Sequence, residues 1–347
     1  MLRSSFVIAL TLSAILAAGW LALRRGDIPY DTLEAAYSVP ASQFMTLDEG
    51  LKIHFTDTGP REAQTIILVH GFSASLHTWT EWKVDLEQDY RVVTLDLPGH
   101  GLSRTELPEQ ARIERFAEIV YEVAKKLDIA EFTLAGNSMG GNTAWVYALT
   151  YPETLDGLIL VDASGWPDED EDRSSRPLIF RILANRFART LVKDLDMTAL
   201  TRDGLLDSYA DQSYVTEALV ERYVSLSRAP GHRSTLLAIM SQHREPADPK
   251  ALQGLSVPTL ILWGEEDNLV PVADADKFAQ SLPDARKVIY PNIGHLPQEE
   301  AAAESVADVR AFLKIVADGS QLTLLDEVEE ISDTSSDASA PAQVSGE

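Results

Sequence analysis

The chain has 347 residues, of which 45% are hydrophobic, so it can bury one large core with a smaller insertion and is not a disordered protein. Its formal net charge of -25 argues against nucleic acid as a partner, because phosphates would be repelled. The absence of cysteine excludes thiol catalysis, disulfides and cysteine-ligated metals.

The N-terminus has the composition of an anchoring or targeting segment. Residues 6–23 carry no charge, with Arg3 before them and two arginines after them, at positions 24–25. An apolar run of this length can span a bilayer, which predicts an uncleaved membrane anchor over residues 1–25. The alternative is a signal peptide with a small-residue cleavage site at residues 17–19, which would give a secreted or periplasmic protein. The positive charge is similar on the two sides of the apolar run, so the orientation of the segment in the membrane stays open.

From residue 45 onward, strand-like and helix-like segments alternate along the chain. The strand-like segments are short apolar runs at residues 51–56, 65–69, 91–95, 132–136, 158–162, 259–263 and 287–290. The helical patterns lie at residues 79–88, 113–127, 142–151, 273–281 and 299–316. This alternation predicts an α/β fold, in which helices cover both faces of a mostly parallel sheet.

One interval, residues 166–249, breaks the alternation because it contains helical patterns and no convincing strand. We interpret it as a helical cap inserted between two strands of the sheet. Its first predicted helix, residues 178–193, combines an apolar stripe with four basic side chains. These are Arg181, Arg186, Arg189 and Lys193. Such a helix either covers the active site as a lid or lies on an anionic membrane surface.

The C-terminal residues 318–347 contain eight acidic residues and no Lys or Arg, and much of the remainder is Ser, Ala and Pro. This composition predicts a solvated, disordered tail. The chain is therefore expected to divide into an N-terminal segment, the first part of the core, the cap, the second part of the core and the tail. The corresponding residues are 1–25, 26–165, 166–249, 250–317 and 318–347.

A pentapeptide, Gly136-Asn137-Ser138-Met139-Gly140, stands between a strand-like and a helix-like run. A Gly-x-Ser-x-Gly motif in this context is typical of a nucleophile elbow. The turn is so tight that the serine takes a strained backbone conformation, and the glycines let the neighbouring elements approach. The motif therefore predicts Ser138 as a nucleophile that a substrate can reach.

Position along the chain separates the histidines that could act as its base. His295 follows the strand-like residues 287–290, at the sheet edge where Ser138 is also expected. His70 and His100 follow strands too, but their glycine neighbours indicate loop-shaping residues. His295 is therefore the predicted base.

Two aspartates, Asp162 and Asp267, follow strand-like runs and could orient that base. The chain order Ser138, Asp267, His295 is the serine, acid, histidine order of one hydrolase fold. This order favours Asp267, and Asp162 is the rival.

Four further stretches match patterns of one family. They are Val69-His70-Gly71-Phe72, Asp96-Leu97-Pro98-Gly99-His100-Gly101-Leu102-Ser103, Trp263-Gly264-Glu265-Glu266-Asp267 and Gly294-His295. With the elbow, they make the chain resemble an α/β-hydrolase over about residues 45–312. The resemblance implies the α/β-hydrolase fold, a cap at the family's lid position, and a carboxylesterase or lipase. Dehalogenases and epoxide hydrolases of this superfamily carry Asp at the elbow, so Ser138 argues against both.

The resemblance also implies a mechanism. Ser138 attacks an ester carbonyl, His295 takes its proton, and Asp267 orients the imidazole. The backbone N–H groups of Phe72 and Met139 should face the oxyanion. No cofactor is required, and the acidic run at residues 168–172 lacks the glycine and glutamate of a calcium-binding EF-hand, so no metal is expected.

The expected substrate is a small-molecule or lipid ester with an apolar acyl group. Apolar side chains such as Phe72, Trp79, Trp82 and Trp166 could line the cleft. The leading alternative is a carbon-carbon bond hydrolase of the ring-cleavage type, whose members share Gly-Asn-Ser-Met-Gly-Gly with residues 136–141. A more remote alternative is a non-catalytic binding protein tethered to the membrane.

Overall fold

A computed structural model describes most of the chain. The described residues are 11, 14, 15, 17–105, 107–167, 186–242, 245–320 and 322. Parts of the predicted anchor and of the predicted cap helix, and nearly all of the predicted tail, lie outside these residues. Within the described residues, no helix is both long enough and apolar enough to cross a bilayer.

The core of the molecule is one eight-stranded sheet in the order β1-β2-β4-β3-β5-β6-β7-β8. Its strands are β1 (Ser42–Thr46), β2 (Lys52–Thr58), β3 (Thr65–Val69), β4 (Arg91–Leu95), β5 (Phe132–Asn137), β6 (Leu155–Val161), β7 (Thr259–Gly264) and β8 (Ala285–Tyr290). The pairs β1–β2 and β2–β4 are antiparallel, and all the others are parallel. The predicted, mostly parallel α/β sheet is therefore confirmed.

Helices flank the sheet on both faces and also form the insertion between β6 and β7. They are α1 (Tyr30–Tyr37), α2 (Thr80–Leu86), α3 (Ile113–Lys126), α4 (Met139–Thr150), α5 (Arg186–Val192), α6 (Thr198–Ser208), α7 (Glu217–Ser227), α8 (His232–Ser241), α9 (Pro249–Leu252), α10 (Ala273–Ser281), α11 (Pro297–Glu300) and α12 (Ala302–Ala317). One apolar cluster joins α3, α4 and α10 to the sheet, and a second joins α2 and α12 to its other face.

Strand β3 shows how the sheet connects the two layers. Ile66 and Leu68 contact the α2–α12 layer, whereas Ile67 and Val69 contact the α3–α4 layer. All four side chains are fully buried. A strand buried on both faces is a continuous apolar run, which is why the sequence pattern predicted it correctly.

The described residues between β6 and β7 form helices α5 to α9 and no strand, as expected for a helical insertion. Helices α6 and α7 share a small apolar cluster with Leu296, a residue of the β8–α11 loop. This inserted layer therefore contacts the core beside the predicted base, His295.

A short segment before α1, residues 23–28, is fastened to the inserted helices; we call it the N-terminal strap. The Arg25 N–H donates to the Asp194 carbonyl at 2.7 Å. The Arg233 guanidinium donates to the Arg25 carbonyl at 2.8 Å and to the Asp27 carboxylate at 2.6 Å. The chain that follows the apolar N-terminal run is thus tied to the insertion.

Candidate active site

Ser138 lies in a tight turn between β5 and α4. Its backbone has φ 56° and ψ -117°, a strained conformation for a residue with a side chain. The turn is possible because glycines flank it: a Cβ on Gly136 would lie 2.1 Å from the Gly140 carbonyl oxygen, and one on Gly140 would lie 2.1 Å from that of Val69. The Ser138 side chain is only half-buried and can be reached from outside.

His295 and Asp267 form a directly hydrogen-bonded pair. His295 Nδ1 donates to Asp267 Oδ2 at 2.7 Å, and the two side chains are 5% and 0% exposed. The other carboxylate oxygen, Oδ1, accepts from the N–H groups of Leu269 at 2.7 Å and Val270 at 3.0 Å. Because an ionised carboxylate only accepts, the His295 proton is on Nδ1 and Nε2 has a free lone pair. Such an imidazole can act as a base.

Asn137 connects the elbow to the β8–α11 loop, which carries His295 and is here called the base loop. Its Nδ2 donates to the His295 carbonyl at 3.1 Å and to the Val161 carbonyl at 3.3 Å. In the described part of the chain, Ser138 Oγ and His295 Nε2 are not hydrogen-bonded. Bonds of this kind are often long in free enzymes and shorten when substrate binds.

The predicted oxyanion donors, Phe72 and Met139, lie beside Ser138. A Cβ on Gly71 would be 3.1 Å from Ser138 Cβ, so the loop that carries Phe72 runs alongside the elbow. Met139 is the first residue of α4, where backbone N–H groups have no partner within the helix. Among the described residues, neither the Phe72 nor the Met139 N–H donates to a backbone carbonyl. Both groups are therefore available to a developing oxyanion.

Asp162, the rival acid, lies next to this pair without a hydrogen bond to the imidazole. Carboxylate and imidazole atoms of Asp162, Asp267 and His295 lie within 4.8 Å of one another. Asp162 is fully buried; its Oδ1 accepts from the Gly264 N–H at 3.0 Å, and its Oδ2 has no partner in the described part of the chain. Burial and then the Asp267 charge raise the pKa of Asp162 well above its usual range.

The same three side chains are the group that could hold a metal ion among the described residues. The donor set does not fit one well, because Asp267 already accepts three hydrogen bonds and the raised pKa of Asp162 favours its neutral form. The cluster is better described as a hydrogen-bonded acid and base pair with a second, buried carboxyl group of raised pKa beside it.

The histidine of the loop after β3 shapes that loop, as interpreted from its glycine neighbour. His70 Nδ1 donates to the Gly71 carbonyl at 2.7 Å, and its Nε2 accepts from the Leu97 N–H at 3.0 Å. Burial lowers the pKa of His70. A neutral imidazole therefore joins the loop after β3, here called the oxyanion loop because it carries the predicted donor Phe72, to the loop after β4.

The sequence analysis did not identify the role of Asp96, which organises the same region. Its carboxylate accepts from the N–H groups of Leu76 at 2.7 Å and Leu102 at 2.8 Å, and from His54 Nδ1 at 2.7 Å. Burial opposes ionisation, but the hydrogen bond and charge of His54 hold the pKa of Asp96 below its usual range. The only signal in the sequence was the position of Asp96 at the start of the 96–103 motif.

Two of the aromatic residues expected in the cleft are instead part of the core. Trp79 and Trp82 are fully buried in the α2–α12 layer. The expectation was wrong because an aromatic residue near a motif can equally face the core, and only the helix orientation decides. Phe72 and Trp166 are half-buried, so part of each side chain remains exposed.

Comparison with known proteins identifies the family. A sequence model of the alpha/beta hydrolase fold matches residues 64–302. The chain belongs to the alpha/beta hydrolase fold family. It is an α/β-fold hydrolase, and its relatives act on more than one kind of bond.

Three of these relatives are informative. A 2-hydroxy-6-oxononadienedioate/2-hydroxy-6-oxononatrienedioate hydrolase from Comamonas testosteroni is 29% identical over 75% of this chain and 92% of that protein. A thermophilic esterase from Thermogutta terrifontis is 26% identical, with a TM-score of 0.66, over 79% of this chain and 98% of the esterase. A membrane phospholipase A, described as a bacterial virulence factor, is 28% identical, with a TM-score of 0.64, over 90% of this chain and 99% of the phospholipase.

Proposed function

We propose that this α/β-hydrolase cleaves carboxylic esters through an acyl-enzyme on Ser138. His295 Nε2 accepts the Ser138 proton as Oγ attacks the ester carbonyl, and Asp267 stabilises the imidazolium. The N–H groups of Phe72 and Met139 stabilise the tetrahedral oxyanion. His295 then returns the proton to the leaving alcohol, and water releases the acid by the same steps. The observation that carries this proposal is the His295–Asp267 hydrogen bond beside a strained, accessible serine.

We further propose that helices α5 to α9 act as the cap and that the ester carries an apolar acyl group. The likeness to the membrane phospholipase A supports a lipid ester, since it extends over 90% of this chain, compared with 79% for the thermophilic esterase. Half-buried Phe72, in the loop beside the elbow, offers apolar surface there.

A carbon-carbon bond hydrolase is the second candidate, favoured by the likeness to the Comamonas testosteroni enzyme. The substrate in that enzyme's name is a dicarboxylate, which needs cationic or hydrogen-bonding partners. The carboxyl groups of Asp162 and Asp267 lie beside His295, and that of Glu300 accepts from the N–H of the preceding residue, Gly294. A dianionic substrate would meet the Asp267 and Glu300 carboxylates at this position, and we therefore place ester hydrolysis first.

A substrate panel separates the two candidates. It combines p-nitrophenyl esters of increasing acyl length, a phosphatidylcholine and a dienol ketone carboxylate, with Ser138→Ala as the inactive variant. Ser164→Ala is the matched control, since its hydroxyl has no hydrogen-bond partner in the described residues. We expect ester turnover that Ser138→Ala abolishes and Ser164→Ala keeps. Turnover of the dienol ketone alone would reject the esterase proposal, and full activity of Ser138→Ala would reject the nucleophile.

We also propose that residues 1–25 anchor the enzyme in a membrane. The support is the uncharged run at residues 6–23 and the N-terminal strap, which joins that run to the inserted helices. Carbonate extraction of membranes that carry the full chain should leave the protein in the pellet, whereas a chain beginning at residue 26 should be released. An intact-mass measurement showing loss of the first residues would support the signal-peptide alternative and a secreted or periplasmic enzyme.

A further inference from the structure

Two consecutive carboxylates, Glu299 and Glu300, end the short helix α11 just after the predicted base. Glu300 bridges two backbone groups: its Oε2 accepts from the Gly294 N–H and its Oε1 from the Asp211 N–H, both at 2.8 Å. Gly294 directly precedes His295, whereas Asp211 belongs to the segment between α6 and α7. One carboxylate therefore connects the base loop to the inserted helices.

We call residues 208–211 the cap link, because they leave α6 and contact the base loop directly. The His295 N–H donates to the Ser208 carbonyl at 2.8 Å. Beside it, a Cβ on Gly294 would lie 2.7 Å from both the Ser208 oxygen and the Ala210 nitrogen. The backbones are in close contact, so the cap link cannot shift without disturbing the main chain of His295.

Glu299 makes the corresponding connection on the other side of the site. Its Oε2 accepts from the hydroxyl of Tyr209 in the cap link at 2.7 Å, and its Oε1 accepts from the hydroxyl of Thr78. Thr78 lies in the 3₁₀ turn Leu76–Trp79, which follows the loop that carries Phe72. The cap link thus reaches the base loop through Glu300 and the turn that follows the oxyanion loop through Glu299.

We propose that Glu299 and Glu300, here called the clasp, are positioning residues that align His295 and the oxyanion loop when the cap link is docked. The inference rests on the proposed function, because it takes Ser138 as nucleophile and His295 as base. A substrate that contacts the cap stabilises the docked position of the cap link. The docked cap link in turn keeps His295 aligned with Ser138. Long acyl groups should therefore raise kcat in addition to lowering KM.

The chemistry of Glu300 allows a sharp test. Its two oxygens accept from two N–H donors. A glutamine has only one acceptor oxygen, so its N–H₂ group would face the other N–H donor without forming a hydrogen bond. Losing a charge-assisted hydrogen bond and leaving a donor unsatisfied should lower kcat about 10- to 100-fold, if the loss destabilises the state in which His295 is aligned. Glu304→Gln is the matched control, because Glu304 is exposed on α12.

The experiment measures kcat and KM for short and long p-nitrophenyl esters, and the rate at which a fluorophosphonate labels Ser138. We expect Glu300→Gln to lower kcat for the long ester about 10- to 100-fold and to abolish the kcat advantage of long over short esters, with KM little changed. Fluorophosphonate labelling should slow in parallel. Tyr209→Phe, which removes one clasp contact and keeps the ring, should show the same pattern more weakly. Glu304→Gln should behave as the unmodified protein.

Several outcomes would contradict the proposed role of the clasp. They are an unchanged kcat in Glu300→Gln, an equal fall for short and long esters, or a change confined to KM. If Glu300→Gln does not fold, Tyr209→Phe decides by the same criteria. An unmodified protein that is labelled by the fluorophosphonate but hydrolyses no ester contradicts the proposed function alone, and the labelling rates still test the clasp. A protein whose Ser138 is not labelled contradicts both.

Discussion

Replacing Asp267 with asparagine should damage catalysis through the tautomer of His295. Asp267 Oδ1 accepts from two backbone N–H groups, and Oδ2 accepts from His295 Nδ1. In Asp267→Asn, the amide oxygen keeps the two backbone bonds, so the amide N–H₂ faces Nδ1. The imidazole must then accept at Nδ1 and carry its proton on Nε2, where it cannot take a proton from Ser138.

The size of the effect follows from the cost of the opposite amide orientation. Turning the amide would restore the productive tautomer but set its N–H₂ against the N–H donors of exposed Leu269 and half-buried Val270, at about 1 kcal/mol each. A total of about 2 kcal/mol makes the productive arrangement about 30-fold rarer. Loss of the charge that stabilises the imidazolium adds to this, so kcat/KM should fall about 10³- to 10⁴-fold.

The assay is hydrolysis of a p-nitrophenyl ester across pH 6 to 9, with circular dichroism to verify folding. Asp162→Asn is the control: its amide oxygen can keep the Gly264 N–H bond, so its kcat/KM should fall less than about 10-fold. Higher pH should not rescue Asp267→Asn, because the wrong tautomer is neutral. A loss of less than about 10-fold in Asp267→Asn would refute the tautomer argument, and a larger loss in Asp162→Asn would reassign the acid.

Three other predictions concern stability and the strap. Gly140→Ala should lower the free energy of unfolding by about 3 kcal/mol or more, because its Cβ meets a backbone oxygen at 2.1 Å. Gly204→Ala, in α6 with open space around it, should raise it by about 0.5 to 1 kcal/mol; urea unfolding measures both, and equal effects would contradict the packing argument. The depressed pKa of Asp96 means that the native state holds fewer protons than the unfolded chain in acid, so stability should fall below about pH 4. Asp96→Asn should flatten that dependence and cost about 3 kcal/mol at pH 7, whereas an unchanged acid slope in urea titrations would rule out this assignment. Arg233→Met removes the hydrogen bonds to the strap, so trypsin should cut after Arg25 faster; an unchanged cleavage rate would mean that other contacts hold the strap.

The sheet shows which elements could be predicted from sequence. Strands β3, β5 and β7 are buried on both faces and therefore appear as short apolar runs. Strand β1 was missed, because it is an edge strand without a fully buried residue and its sequence gives a weak apolar signal. The predicted helix at residues 299–316 is interrupted at Ala301, where ψ is 43°. Its first residues bond to other elements, which no local pattern shows.

The candidate site shows the same division between what local sequence patterns predict and what long-range contacts decide. The sequence by itself determined the α/β class, the elbow at Ser138 and the candidate base and acids, because glycine spacing and strand-following loops are local properties. Chain order favoured Asp267, but only the tertiary structure shows which carboxylate bonds to His295, because Asp162 and Asp267 follow neighbouring parallel strands and both lie beside the imidazole. The clasp was equally hidden, since Glu299 and Glu300 bond to residues that are distant in the chain. Local patterns identify candidate groups, and long-range packing selects the atoms that meet.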